Sequence, residues 1–166
     1  MDLQPVLELF DRSPELALQL LTNQFPSRGV AMDQLDTIFG RPTFVSASTK
    51  TNSLPGEAKI VSSQLWNFPL CKCPDGACTC GPSGCNCVAC ICERPDGSMF
   101  LVLEHCKSQS ISFGGLPVRL VDRGHRLLQE VILNGAHTVS WERAGGRLTA
   151  IGLRNAAEIE TLLAIN

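Results

Sequence analysis

At 166 residues the chain is long enough for a single domain to bury a core, and 44% hydrophobic against 18% charged residues is the balance of a globular protein, not a disordered tail. A net charge of −2 and a pI near 5.9 leave no electrostatic footprint for nucleic acid and no polybasic run for a membrane surface. The apolar stretches fall short of the ~18 residues of a spanning helix. The opening MDLQPVLELF carries Asp2 and Glu8 where a secretory leader has a basic start, so a reducing, cytoplasmic setting is expected, with neither nucleic acid nor membrane as partner.

Leu3, Val6, Leu7 and Phe10 recur at helical spacing and predict a first amphipathic helix. Ser13 as N-cap and Pro14 at the first helical position restart a second helix, with Ala17, Leu20 and Leu21 facing inward. The stretch SRGVAMDQLDTIFG reads as a short third helix closed by Gly40, since glycine readily takes the left-handed conformation after a helix. Beyond Arg41 the chain turns to Thr, Ser and Val. PTFVSASTK and AKIVSSQLW read as two strands around the turn-rich TNSLPGE.

SMFLVLEH is apolar at successive positions, the pattern of a central strand covered on both faces, and GGLPVRLVD supplies another strand. RGHRLLQEVILNG reads as a helix with Leu128, Val131 and Ile132 on one face and Asn134-Gly135 as its stop. HTVSWER alternates like a strand, AGG turns it, and RLTAIGL pairs back. Asn155 and Glu158 resemble a capping box that opens a last helix, with Ile159, Leu162 and Leu163 inward. Phe10, Leu16, Leu20, Phe100, Leu101, Trp141 and Leu162 are the expected core.

The predicted fold class is therefore α+β: N-terminal helices, an antiparallel or mixed sheet, and a C-terminal helix–hairpin–helix. It forms a single domain over 1–166, with a cysteine-rich metal-binding loop inserted at 71–92.

That segment, CKCPDGACTCGPSGCNCVACIC, holds eight of the nine cysteines: Cys71, Cys73, Cys78, Cys80, Cys85, Cys87, Cys90 and Cys92. Its first fillers are turn formers such as Pro74, Gly76, Gly81 and Pro82, which cannot repay the entropy of ordering by packing. Disulfides would have to join different Cys-x-Cys units, because cysteines two apart do not meet the geometry of the bond, and the odd count leaves one thiol over. Thiolate coordination is the competing chemistry. Soft ions such as Zn(II) or Cu(I) prefer tetrahedral or lower sulfur coordination, and nine thiolates, with three of them bridging, satisfy three tetrahedral ions. The ninth is Cys106. Iron–sulfur sites space their cysteines differently, so an Fe–S cluster is the lesser option.

The run of Cys-x-Cys pairs resembles one domain of a metallothionein and is also similar to the copper–thiolate motif of copper-responsive regulators. The resemblance covers residues 71–92 alone and implies a metal–thiolate cluster held by the same cysteines. Metallothioneins balance such a cluster with many lysines. Here only Lys72 stands against Asp75, so Arg94 or Lys107 would have to fold over it, and a small structural or sensing cluster is favoured over a bulk store.

His105 next to Cys106 reads as a solvent-facing histidine beside a buried thiol. The sharper alternative makes Cys106 the last ligand and His105 a nitrogen ligand. A Cys/His catalytic pair is disfavoured, because neighbours on a strand point to opposite faces. No nucleophile elbow or phosphate-binding fingerprint occurs, and no enzyme is expected. The sequence thus predicts a metal-binding protein with Zn(II) or Cu(I), used for buffering, delivery or sensing. The alternative is a structural or assembly protein whose metal-stapled loop meets a protein partner. Oligomeric state has no signature in the sequence.

Overall fold

The computed structural model describes residues 1–23, 27–51, 54–68, 85–106, 111–143 and 146–165. Helices α1 (Gln4–Phe10) and α2 (Pro14–Thr22) come first, followed by strand β1 (Ser27–Gly29) and helices α3 (Leu35–Phe39) and α4 (Phe44–Thr51). Strands β2 (Lys59–Phe68), β3 (Cys85–Glu93) and β4 (Met99–Cys106) precede the second half of the sheet. That half comprises β5 (Arg119–Arg123), β6 (Arg126–Leu133), β7 (Ala136–Arg143) and β8 (Gly146–Leu153), and helix α5 (Ala156–Leu163) ends the chain.

The eight strands form one open sheet in the order β1-β2-β3-β4-β8-β7-β6-β5, with every neighbouring pair antiparallel. Two four-stranded meanders are fused along β4 and β8, which puts β4 at the centre. Both its faces are covered, as the continuous apolar run predicts. On one face Cys87, Ala89, Ile91, Leu101, Leu103 and Ile151 pack under α1 and α2. On the other, Phe100, Val102, Leu148, Ala150 and Trp141 pack with Phe44 and Ala47 of α4 and Ile159 and Leu162 of α5. Leu35 and Phe39 of α3 continue this second layer over Leu65, Val88 and Cys90.

The expected α+β fold class is overturned. The sheet dominates, the helices are short, and no C-terminal helix–hairpin–helix exists among the described residues. RGHRLLQEVILNG holds strand β6 rather than a helix: its leucines satisfy helical spacing, but Leu128, Glu130 and Val131 are buried in a strand laddered to β5 and β7. Asn134 (φ 52°) and Gly135 (φ 80°) form the tight hairpin turn to β7, the conformation for which Asn-Gly is favoured.

PTFVSASTK is the reverse case, a predicted strand that folds as helix α4. Its first turn is capped from outside. Asp36 accepts from the Thr43 backbone N–H at 2.9 Å, and Glu104 accepts from the Phe44 N–H at 2.6 Å. Residues 27–29 of the predicted third helix are an edge strand, and Leu16 and Leu20, expected in the core, are exposed while Leu18 takes the inward position. No helix among the described residues is long and apolar enough to cross a membrane.

Candidate functional site

Of the nine predicted ligands, Cys71, Cys73, Cys78 and Cys80 lie outside the described residues, as does the side chain of Cys85. Cys87, Cys90 and Cys92 belong to β3, not to a loop, and here the Cys-x-Cys period meets the two-residue period of a strand. Cys90 and Cys92 share a face, while Cys87, three residues before Cys90, falls on the other. Cys87 lies under α1 beside Leu3 and Trp66, Cys90 lies among Leu35, Phe39 and Val45, and Cys92 lies beside Phe100.

All three thiols are at most 1% exposed. Burial pushes the Cys90 thiol up to about 12, partly offset by its contact with the Ser63 hydroxyl at 3.5 Å. Burial likewise raises Cys87 and Cys92 well above the ordinary thiol range. A metal ligand must shed its proton and face the ion. Cys87 lies on the opposite face of β3 from Cys90 and Cys92, and all three pack among core side chains, so they are not placed around one ion. Among the described residues no group of three or more His, Cys, Asp or Glu side chains is placed to hold a metal ion. Cys87, Cys90, Cys92 and Cys106 are thiols rather than disulfide half-cystines.

Cys106 closes β4, and His105 beside it is fully buried, not solvent-facing. The imidazole Nδ1 lies 3.1 Å from the Cys106 carbonyl oxygen and Nε2 lies 3.3 Å from the Thr149 hydroxyl. Thr149 in turn meets Ser140, which accepts from Arg147 at 2.8 Å. Burial holds the imidazole down to about 4, outweighing the carbonyl contact. His105 is thus a neutral, hydrogen-bonded core residue on the face opposite Glu104. Arg94 does not reach toward a cluster either. Its guanidinium is fixed on Glu158 by Nε–Oε2 at 2.9 Å and Nη2–Oε1 at 2.7 Å.

The end of the sheet where β4 and β7 finish and β8 begins holds a charged constellation that no sequence motif marks. Glu104, 3% exposed, receives Arg41 Nη1 on Oε1 at 2.6 Å and the Phe44 N–H on Oε2. Arg143 Nη1 stands 4.0 Å from the same Oε1. Gly146 faces Arg143 across the β7–β8 ladder, and Arg41 Nη2 fills the space that a Cβ at Gly146 would occupy. Burial, with the neighbouring Arg41 and Arg126 charges, lowers the Arg143 pKa despite the opposing pull of Glu104. The signal for this site was Glu104 itself, a carboxylate inside a strand read as covered on both faces, which is rarely buried without a partner. Compared with known proteins, the chain matches no protein-family model, no curated protein and no solved structure.

Proposed function

We propose that the chain is a metal-binding protein with a smaller ligand set than its cysteine count implies. Cys71, Cys73, Cys78 and Cys80 form one Cys-x-Cys-x4-Cys-x-Cys unit able to hold a single Zn(II) or Cu(I). The observation that carries this reading is the burial of Cys87, Cys90 and Cys92 in the sheet core, which assigns them to packing and leaves the upstream unit for coordination. Metal buffering, delivery or sensing in a reducing cytoplasm is the corresponding role, with no catalytic step.

Native mass spectrometry of the reduced, zinc-loaded full chain tests it. One ion per chain is expected, lost in Cys73→Ser/Cys78→Ser and kept in Cys90→Ala. Two or three ions per chain, or loss of the ion in Cys90→Ala, refutes the reduced set. A metal-free chain after loading refutes metal binding altogether.

A second reading, an assembly protein, draws on a different observation. Leu120 and Leu127 on the β5–β6 hairpin are 68% and 64% exposed, a large apolar display for an outer hairpin. Light scattering on the wild-type chain and on Leu120→Ser/Leu127→Ser separates the two readings: an oligomer that dissociates in the double variant supports assembly, and an unchanged monomer removes it.

A further inference from the structure

At the Glu104 end of the sheet, buried side-chain nitrogens without a hydrogen-bond partner include Arg41 Nε, Trp141 Nε1, Arg143 Nε and Arg143 Nη1. Arg143 and Trp141 are two residues apart on β7 and share a face, and Arg41 lies over the glycine opposite Arg143. Arg123, whose Nε is likewise buried and unpartnered, pairs with Arg126 across β5 and β6 at the same end.

These atoms are all donors. Among the described residues the carboxylate in contact with Arg41 and Arg143 is Glu104, already used by Arg41 on one oxygen and by the Phe44 N–H on the other, while Asp36 acts on Arg143 only through its charge. Arg143, only 7% exposed at its side chain, reaches that carboxylate no closer than 4.0 Å. Two guanidiniums share the one carboxylate in contact with them, and unsatisfied buried donors carry their full desolvation penalty. Native interiors satisfy such groups with rare exceptions, so a cluster of donors with no acceptor marks a place for one.

We propose that this corner binds a small tetrahedral oxyanion of the phosphate or sulfate class, held by Arg143 and Arg41 with the Trp141 indole N–H as a third donor. Guanidinium groups match such oxyanions through paired N–H donors, and the low-dielectric surroundings strengthen the contact. An indole N–H adds a neutral donor that favours oxygen over chloride by direction. Glu104 is the internal counter-charge that keeps the two guanidiniums in place.

The test is isothermal calorimetry with inorganic phosphate on the full chain, paired with thermal melts at constant ionic strength in phosphate, sulfate or chloride. One phosphate per chain is expected, with a midpoint a few degrees higher at a phosphate concentration about ten times Kd and no rise in chloride. Sulfate reproducing the rise assigns a general oxyanion site, and phosphate alone assigns a phosphate site. Arg143→Met should abolish the heat and the shift. Trp141→Phe, which keeps the ring packing and removes the N–H, should weaken binding by roughly ten-fold, as expected for one hydrogen bond to a charged group. Absence of a phosphate-specific shift in the wild type overturns the proposal, as does binding unchanged in Arg143→Met. If Arg143→Met does not fold, undiminished affinity in Trp141→Phe overturns the three-donor site.

Discussion

Two buried arginine–glutamate groups flank the central strand β4, and they are finished to different standards. Near its start, Arg94 spends its guanidinium fully. It gives two bonds to Glu158, one from Nη2 to the Gly152 carbonyl at 3.2 Å and one from Nη1 to Ser98 at 3.2 Å, with the Phe100 ring 4.9 Å beneath its Cζ. Near its end, Arg41 and Arg143 compete for one carboxylate, and Arg41 Nε with Arg143 Nε and Nη1 have no hydrogen-bond partner among the described residues. A closed pair of this kind serves as a structural staple, tying the β3–β4 hairpin to α5. The open one has donors to spare, which is how a binding site differs from a strut. The same residue types therefore do different work according to whether their hydrogen-bond capacity is exhausted.

Matched truncations expose the difference most strongly. Arg94→Met leaves Glu158 buried without its partner and should cost about 3–5 kcal/mol in urea unfolding, the range for breaking a buried ion pair. Arg143→Met removes a guanidinium that stands 4.0 Å from Glu104 and whose Nε and Nη1 have no hydrogen-bond partner among the described residues, and should cost less than about 1 kcal/mol, because a flexible apolar side chain can take its volume. Equal losses at the two positions would erase the distinction.

The next effect separates the two faces at the open end. His105 is held neutral at about 4, below its ordinary 6.5, first by burial. A depressed folded value means that the unfolded chain binds the proton more readily. The stabilisation is complete above pH 6.5 and is lost as pH falls from 6.5 to 4. The shift corresponds to roughly 3 kcal/mol over that window, and His105→Gln should flatten the slope of unfolding free energy against pH there. Glu158 acts lower. Burial raises its carboxyl, but the Arg94 bonds and the Arg154 N–H outweigh that and hold it below the usual range, so its contribution persists until pH falls through the carboxylate region. A profile unchanged by His105→Gln would show that His105 does not titrate as its surroundings require.

The smallest effect concerns the frame of the closed pair. Asn155 accepts from the Glu158 N–H at 3.0 Å and caps α5, so Asn155→Ala should cost about 1 kcal/mol in thermal unfolding. A loss as large as that of Arg94→Met would mean that the cap, not the guanidinium, holds Glu158 in place.

Local chemistry made several parts of the fold legible in advance. Ser13 caps α2 and Pro14 opens it, Gly40 ends α3 at φ 69°, and Asn155 caps α5, each by a contact within a few residues. Other parts failed where the deciding contact is distant. Helix α4 gains a cap from Glu104, sixty positions away, and that outweighs the strand preference of Val45, Thr43 and Thr49. Strand β6 reads as a helix in the sequence because Leu128, Val131 and Ile132 fit a helix as well as a strand, although the Asn-Gly that follows is a stronger hairpin signal than a helix stop.

The cysteines illustrate the same ambiguity. A Cys-x-Cys pair is metal-ligand spacing and also one face of a strand, and sequence alone does not say which pairs are enclosed. The arginine corner has no sequence motif at all. It is assembled from four elements and announced only by one misplaced-looking glutamate.

The β2–β3 ladder runs to its last rung, with Phe68 paired to Cys85. Adjacent strands lie about 5 Å apart, so Phe68 and Cys85 are held side by side by the ladder itself. Closing a chain segment is costly only once. The metal binding proposed above is therefore not needed to hold β2 against β3 at this end of the sheet.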